Sequence, residues 1–163
     1  MGERARDHPE EASAALERAK ELRETIYRTF SATAAERRPT DADLAGLRDA
    51  FAEAMRHAQI TESHGSFGWE WPTVEDSLDG PLWPATSSAM GVLTSSELAR
   101  VKECPGSSDG GWLFLDTSKN GSRRWCSMET CGSRVKMRRH YARQRAERAV
   151  SESKLNVVSG SEK

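Results

Sequence analysis

The sequence is short of the features that mark several large classes of protein. It holds no run of about eighteen apolar residues, so no segment reads as a membrane-spanning helix. The N-terminal stretch, with Glu3, Arg4, Arg6, Asp7, Glu10 and Glu11, lacks the apolar core of a secretory signal. The patterns G-x-S-x-G, G-x-x-x-x-G-K-[ST] and H-E-x-x-H are missing, and no enzymatic activity is expected. His57 and His64, with Glu62 between them, read as solvated side chains at and beyond a helix end. Cysteine is scarce. The 163 residues hold 3, an odd number confined to one stretch, which suits reduced cytoplasmic thiols better than a disulfide framework.

Net charge is also nearly absent, at −1, but this balance hides an asymmetry. Ten of the 24 Lys and Arg fall between Lys119 and Arg148, opposed only by Glu129 and Glu147, so that segment carries about +8 and the remainder about −9. A basic C-terminal module on an acidic body points to a polyanion for the module and a separate task for the body.

The body reads as mainly helical. From Pro9, Ala15, Ala19, Leu22, Ile26 and Phe30 recur at helical spacing, with Glu17, Arg18, Glu21 and Arg28 on the other face. Ser31 to Pro39 reads as a connection. Thr40 with Asp43 forms a capping-box variant before a second helix whose stripe is Leu44, Leu47, Phe51, Met55 and Ala58, and the two helices should lie antiparallel.

Thr61 to Ser66 reads as a polar turn, and Phe67, Trp69 and Trp71 then alternate with Gly68 and Glu70 as a half-buried strand. The aromatic row reads first as sheet packing and second as the wall of a ligand pocket with Trp83. Asp76 to Leu93 reads as a third helix with an uncertain start at Gly80, Pro81 and Pro84, followed by an extended or turn segment over Leu98 to Glu103.

The chemistry concentrates between Cys104 and Arg143. Cys126 and Cys131 stand close together before a cationic run of Arg134, Lys136, Arg138, Arg139 and Arg143, and Cys104 ends a short apolar segment ahead of a strand from Trp112 to Leu115. Asn120-Gly121 is a hairpin signal that calls for positive φ at both positions. Thiolates in this layout suit tetrahedral Zn2+, with Asp109, a water or His140 as candidate fourth contacts. Within an ideal helix His140 would point away from the knuckle. The alternative is a metal-free finger packed through Trp112, Phe114 and Trp125, with the cysteines as small apolar residues. Asp116 reads as a hydrogen-bond acceptor for the hairpin or for Arg123 and Arg124. Arginine outnumbers lysine in the run, and its planar fork matches phosphates and guanine edges, which raises nucleic acid above a merely solvated charged face or an acidic protein partner.

The stretch Trp112-Leu113-Phe114-Leu115-Asp116-Thr117-Ser118-Lys119-Asn120-Gly121-Ser122-Arg123-Arg124-Trp125-Cys126-Ser127-Met128, followed by Cys131-Gly132-Ser133-Arg134, closely resembles the CGNR zinc finger. Two positions depart from that pattern. Ser133 replaces the name-giving Asn, and a Gly, taken as Gly110, stands where the family has the second cysteine of its first pair. Over residues 10–103 the Leu22-Arg23 helix, Phe67-Gly68-Trp69-Glu70-Trp71, and Leu82-Trp83-Pro84 through Leu93-Thr94 to Cys104 resemble the domain that precedes this finger, labelled as a stress-induced transcription regulator. Members of that family begin with an additional apolar strand, of which no counterpart is visible.

The resemblance implies a bacterial, cytoplasmic transcription regulator. Zinc would sit on Cys104, Cys126 and Cys131, with Asp109 a candidate fourth ligand. DNA would meet Arg134, Lys136, Arg138, Arg139 and Arg143, with Arg123 and Arg124 on phosphates. Two alternatives stand beside it. One is an interaction module with a degenerate finger that docks on a second copy or on transcription machinery. The other is a small-molecule-binding body with Phe67, Trp69, Trp71 and Trp83 around a signal molecule.

The expected fold class is α+β and mainly helical. Its organisation would be a disordered N-terminus over 1–8, a helical body with a short β element over 9–103, a finger-like hairpin with a basic helix over 104–148, and a disordered tail over 149–163.

Overall fold

The computed structural model describes residues 2–106, 111–138, 140–145 and 147. Residues Gly2–Asp7, expected to lack order, form a short helix α1, and α2 follows over Pro9–Ala34. Proline at the first position of α2 has no amide hydrogen to leave unbonded there, and Glu10 and Glu11 complement the partial positive charge of the first turn. The apolar stripe of α2 buries Ala15 and Phe30, and the helix runs on through Ala34, further than the expected connection at Ser31.

Helix α3 spans Asp41–Arg56. Thr40 caps it as the sequence implies: its Oγ1 accepts from the Asp43 amide at 3.1 Å and donates to Asp43 Oδ2 at 2.6 Å. Arg28 of α2 donates from Nε to Asp43 Oδ1 at 2.7 Å, and one turn earlier Thr25 lies opposite Gly46. Residues 25 and 28 thus meet 46 and 43 in reverse order, so α2 and α3 are antiparallel. The Thr40 hydroxyl, and after it the Arg28 guanidinium, hold the Asp43 carboxyl below the usual carboxylate range. Leu47 at 1% exposure and Ala54 at 0% form the centre of the core.

After α3 the chain makes a hairpin that the sequence reading only half anticipated. The strand β2, Ser66–Glu70, pairs antiparallel with β1, Gln59–Ser63, of which Thr61 to Ser63 were expected to belong to a polar turn. The turn is His64-Gly65, both with positive φ (53° and 77°), the conformation that matches the twist of a two-residue hairpin. Among the described residues no third strand joins this sheet. Ile60 sits opposite Trp69, and Phe67 shares their face, yet Phe67 is 77% exposed and Ile60 65%. The expected burial of this aromatic row is therefore not met: the hairpin carries its apolar face away from the helices, and only Trp71, just past β2, turns in, donating from Nε1 to the Ala54 carbonyl at 2.8 Å.

A series of turns leads to α4, Leu82–Leu93, which starts later than expected because the first turn must follow Gly80 and Pro81. Helix α4 packs on α3 and α2 and buries Trp83 and Thr86. A short 3-10 turn, Ser96–Arg100, leads into β3, Val101–Glu103, which pairs antiparallel with β4, Leu113–Leu115. Both strands lie against α2, where Ser31 Oγ donates to Glu103 Oε2 at 2.9 Å. The mainly helical α+β class is thus the one observed.

Replacing Leu47 with alanine should lower unfolding stability by about 3 kcal/mol, and Thr40→Ala by about 1 kcal/mol, both read from urea denaturation followed by circular dichroism.

Candidate metal centre

The expected hairpin at Asn120-Gly121 is not what organises the finger. Gly121 has positive φ, at 60°, but Asn120 does not, and β4 pairs backward with β3. Residues after β4 instead wrap around one carboxylate. Asp116 is fully buried, and its Oδ1 accepts from the Ser118 amide at 3.0 Å and from Ser118 Oγ at 2.6 Å, a side-chain turn of the kind aspartate favours. Its Oδ2 accepts from the Arg123 amide at 3.0 Å and from Lys102 Nζ at 2.7 Å. The Lys102 ammonium also donates to the carbonyls of Gly121 and Arg123. Asp116 therefore does accept hydrogen bonds that fix the turn, although from the Arg123 backbone and not from the guanidinium of Arg123 or Arg124. Lys102 and Ser118 together hold its carboxyl far below the usual carboxylate range.

This fixed loop delivers Cys126. The Arg123 guanidinium donates to the carbonyls of Trp125 (2.9 Å) and Cys126 and lies over the Phe114 ring at 5.1 Å, so the segment before Cys126 is braced from three sides. A single π-helical turn, Met128–Gly132, then presents Cys131. Ser127 caps that turn by accepting from the Thr130 amide at 3.3 Å, and Ser133, in place of the family's Asn, donates from Oγ to the Met128 carbonyl at 3.2 Å. The substitution at 133 thus keeps a brace at the start of the basic helix. Cys104 follows β3, and its amide donates to the Trp112 carbonyl at 2.8 Å, extending the β3–β4 pairing by one step. Gly106 lets the chain pass the knuckle, since a Cβ there would sit 3.0 Å from Cys131 Cβ.

The three sulfur atoms converge. All lie within 4.8 Å of one another, and Cys126 Sγ is 3.4 Å from Cys131 Sγ. Thiolates on a tetrahedral zinc at about 2.3 Å stand about 3.8 Å apart, so the set fits a zinc ion at its centre. Cys104 and Cys131 are buried and Cys126 is half-buried. Burial pushes the Cys104 thiol up, but the amides of Cys126 and Gly106 and the two neighbouring thiols donate to it and bring it below its ordinary value. The Cys126 thiol is pushed up to about 11 by burial first and then by Cys131 and Cys104. A zinc ion would take the sulfurs as thiolates and release their protons. Among the described residues no His, Asp or Glu completes the group, and His140 lies beyond it in the basic helix. Asp109 and Gly110 lie outside the described residues, as does Arg139.

Residues 2–96 match the family model "Putative stress-induced transcription regulator" (ABATE), and residues 100–144 match the CGNR zinc finger model. The chain belongs to the ABATE family. No curated protein matches it. In this ABATE protein the regulator domain precedes the finger, and β3 and β4, which pair with each other, both lie within the stretch matched to the finger.

The remaining site residues fall in two places. Arg134, Lys136 and Arg138 are exposed on a helix described over 133–138 and 140–145, which also carries Arg143, and Arg124 lies over the Trp125 ring at 5.6 Å. The aromatic set splits up. Trp83 is buried at 5% exposure, lines a cavity of about 660 Å3 between α2, α3 and α4, and is stacked on His57 at 4.0 Å. Phe67, Trp69 and Trp71 do not line that cavity, because the hairpin projects away from it. His57, read as solvated, is instead a half-buried cover for Trp83. Two partners escaped the sequence reading, Lys102 under Asp116 and His57 on Trp83. Only the first had a local signal, a lone lysine alternating with apolar Val101 before Cys104.

Native mass spectrometry of the whole chain should find one zinc, lost in Cys131→Ser. Because the Asp116 carboxyl is lowered in the fold from about 3.9 in the unfolded chain, its stabilisation is complete above about pH 5, starts to fall below about pH 4 and is lost only as pH falls through the much lower folded value. The difference in urea midpoint between parent and Asp116→Asn should therefore be widest near pH 7, smaller at pH 3 and smaller still in stronger acid.

Proposed function

We propose that the chain is a transcription regulator of the bacterial cytoplasm, not an enzyme, in which the CGNR finger holds zinc and the helix after it binds DNA. One observation carries the reading. Among the described residues Arg134, Lys136 and Arg138 form no ion pair with the acidic body, and Arg143 meets only Glu147 of its own helix, at 3.9 Å. Arg134, Lys136 and Arg138 are therefore unspent among the described residues, although the chain has carboxylates enough to neutralise them.

Zinc, when bound, would cross-link the three thiols so that the loop and the start of the basic helix keep one geometry. Cys131 stands in the turn that opens that helix, so the helix direction is tied to the knuckle. Arg134, Lys136, Arg138 and Arg143, with Arg139, would meet phosphates and base edges, and Arg124 would reach the backbone beside them. Arg123 has its guanidinium committed to the Trp125 and Cys126 carbonyls, so its part in binding is to shape the loop.

A protein partner is the second reading, favoured by the exposed apolar face of Ile60, Phe67 and Trp69 on the β1–β2 hairpin. It is distinguished by whether partner capture survives nuclease treatment.

Binding to a duplex measured by fluorescence anisotropy should weaken with salt at a log–log slope of about −4 to −5 if about five phosphates are neutralised. Arg138→Ala with Arg143→Ala should reduce the slope by about 2. A flat salt dependence would overturn the DNA reading.

A further inference from the structure

The helix after the knuckle stands clear of the helical body. Among its described residues from 136 to 145 every one is exposed, and Val135, nearer the knuckle, is half-buried. Two of the exposed side chains are large and mostly apolar, Met137 at 50% and Tyr141 at 58%. Their apolar surface stays in water, a cost that contact with a partner would relieve.

Their place among the arginines is informative. Arg134, Arg138, Tyr141 and Arg145 recur at steps of four and three, as do Met137, Tyr141 and Gln144, so these residues share one side of a helix of 3.6 residues per turn. Arg138, Tyr141, Gln144 and Arg145 together line one depression along that side. Lys136 and Arg143, seven positions apart, fall on the opposite side, where Arg143 also meets Glu147. The apolar pair therefore lies between guanidinium groups that have no carboxylate partner among the described residues.

The chemistry narrows what this side can meet. Three arginines select an anion, and their planar forks suit phosphates and guanine edges. A helix with its side chains is about 10–12 Å wide, which the major groove of B-form DNA admits at about 12 Å and the minor groove, at about 6 Å, does not. The deep, narrow major groove of an RNA duplex excludes it as well. Phosphates offer nothing apolar to Met137 and Tyr141. On the floor of the B-form major groove the apolar groups are the C5 methyls of thymine.

We propose that the side of the helix bearing Arg134, Met137, Arg138, Tyr141 and Arg145 faces the floor of the major groove, where Met137 and Tyr141 cover thymine methyl groups, while Lys136 and Arg143 reach only phosphates. This rests on DNA being the partner; it adds which side of the helix reads bases and which base the apolar pair selects.

The test titrates the full chain by fluorescence anisotropy into three labelled duplexes of equal length: alternating dA-dT, alternating dA-dU, which lacks only the C5 methyls, and an alternating A-U RNA duplex. Each methyl taken out of water is worth about fourfold in affinity, so the parent should bind dA-dT about tenfold more tightly than dA-dU when two are covered. The salt slope should be the same on both, because their phosphates are the same. That comparison needs no variant. Met137→Ala with Tyr141→Ala should bring the ratio of the two affinities close to one at an unchanged slope, with helix content, kept by alanine, checked by circular dichroism. Lys136→Ala with Arg143→Ala should do the reverse, lowering the slope by about 2 and keeping the ratio. Equal binding of dA-dT and dA-dU by the parent, a ratio unchanged in the Met137→Ala with Tyr141→Ala chain, or an RNA duplex bound as tightly as dA-dT would overturn the proposal, while a steep slope leaves DNA binding standing. A flat slope on every duplex overturns DNA binding itself, and the assignment of the helix side with it.

Discussion

The finger depends on the buried pairing of Asp116 with Lys102. A carboxylate removed from water is costly unless its lone pairs are met, and here an ammonium, a hydroxyl and two backbone amides meet them. These donors come from β3, from the residues just after β4 and from the segment leading to Cys126, so one side chain holds three stretches that share no regular secondary structure beyond two short strands. The sheet of three pairs is too small to do this by its ladder alone. A module with so little apolar core needs a polar knot, a metal, or both.

The body solves a different problem with ordinary means. Its helices bury a modest core around Leu47, Ala54, Phe30 and Trp83, and the junctions between them are fastened by directed polar contacts: Thr40 with Asp43, Arg28 with Asp43, Arg18 with Asp79, and the His57 stack on Trp83. Acidic charge is thereby used locally, in short-range partnerships with the body's own arginines. Arg134, Lys136 and Arg138 of the finger are left without such partners among the described residues, and that separation is what gives the molecule two electrostatic characters.

Much of this was legible in the residues and some was not. The cap at Thr40 and the stripe with Leu47 could be read because both are local patterns of one helix. The convergence of Cys104, Cys126 and Cys131 could be read because the motif around them is long. The hairpin was read in half because β1 is mostly polar, with Gln59, Thr61, Glu62 and Ser63, and its turn places a histidine, not the commoner Asn or Asp, at positive φ. Burial of Phe67 and Trp69 was read wrongly because alternation says which residues share a face and not whether anything covers it. The cavity was invisible in the sequence because its walls come from three helices and a loop, and His57 and Trp83 are neighbours only in space.

Helix α2 is one uninterrupted element of 26 residues, and it serves both halves of the molecule. Arg18 on it fastens the loop that borders the cavity, and Ser31, about 20 Å further along at 1.5 Å per residue, holds Glu103 at the foot of the finger. A rod of this kind passes on a tilt but not a rotamer change. Whatever shifts the loop before α4 enough to swing the near end of α2 therefore moves the platform under Cys104, while events confined to side chains stay where they occur.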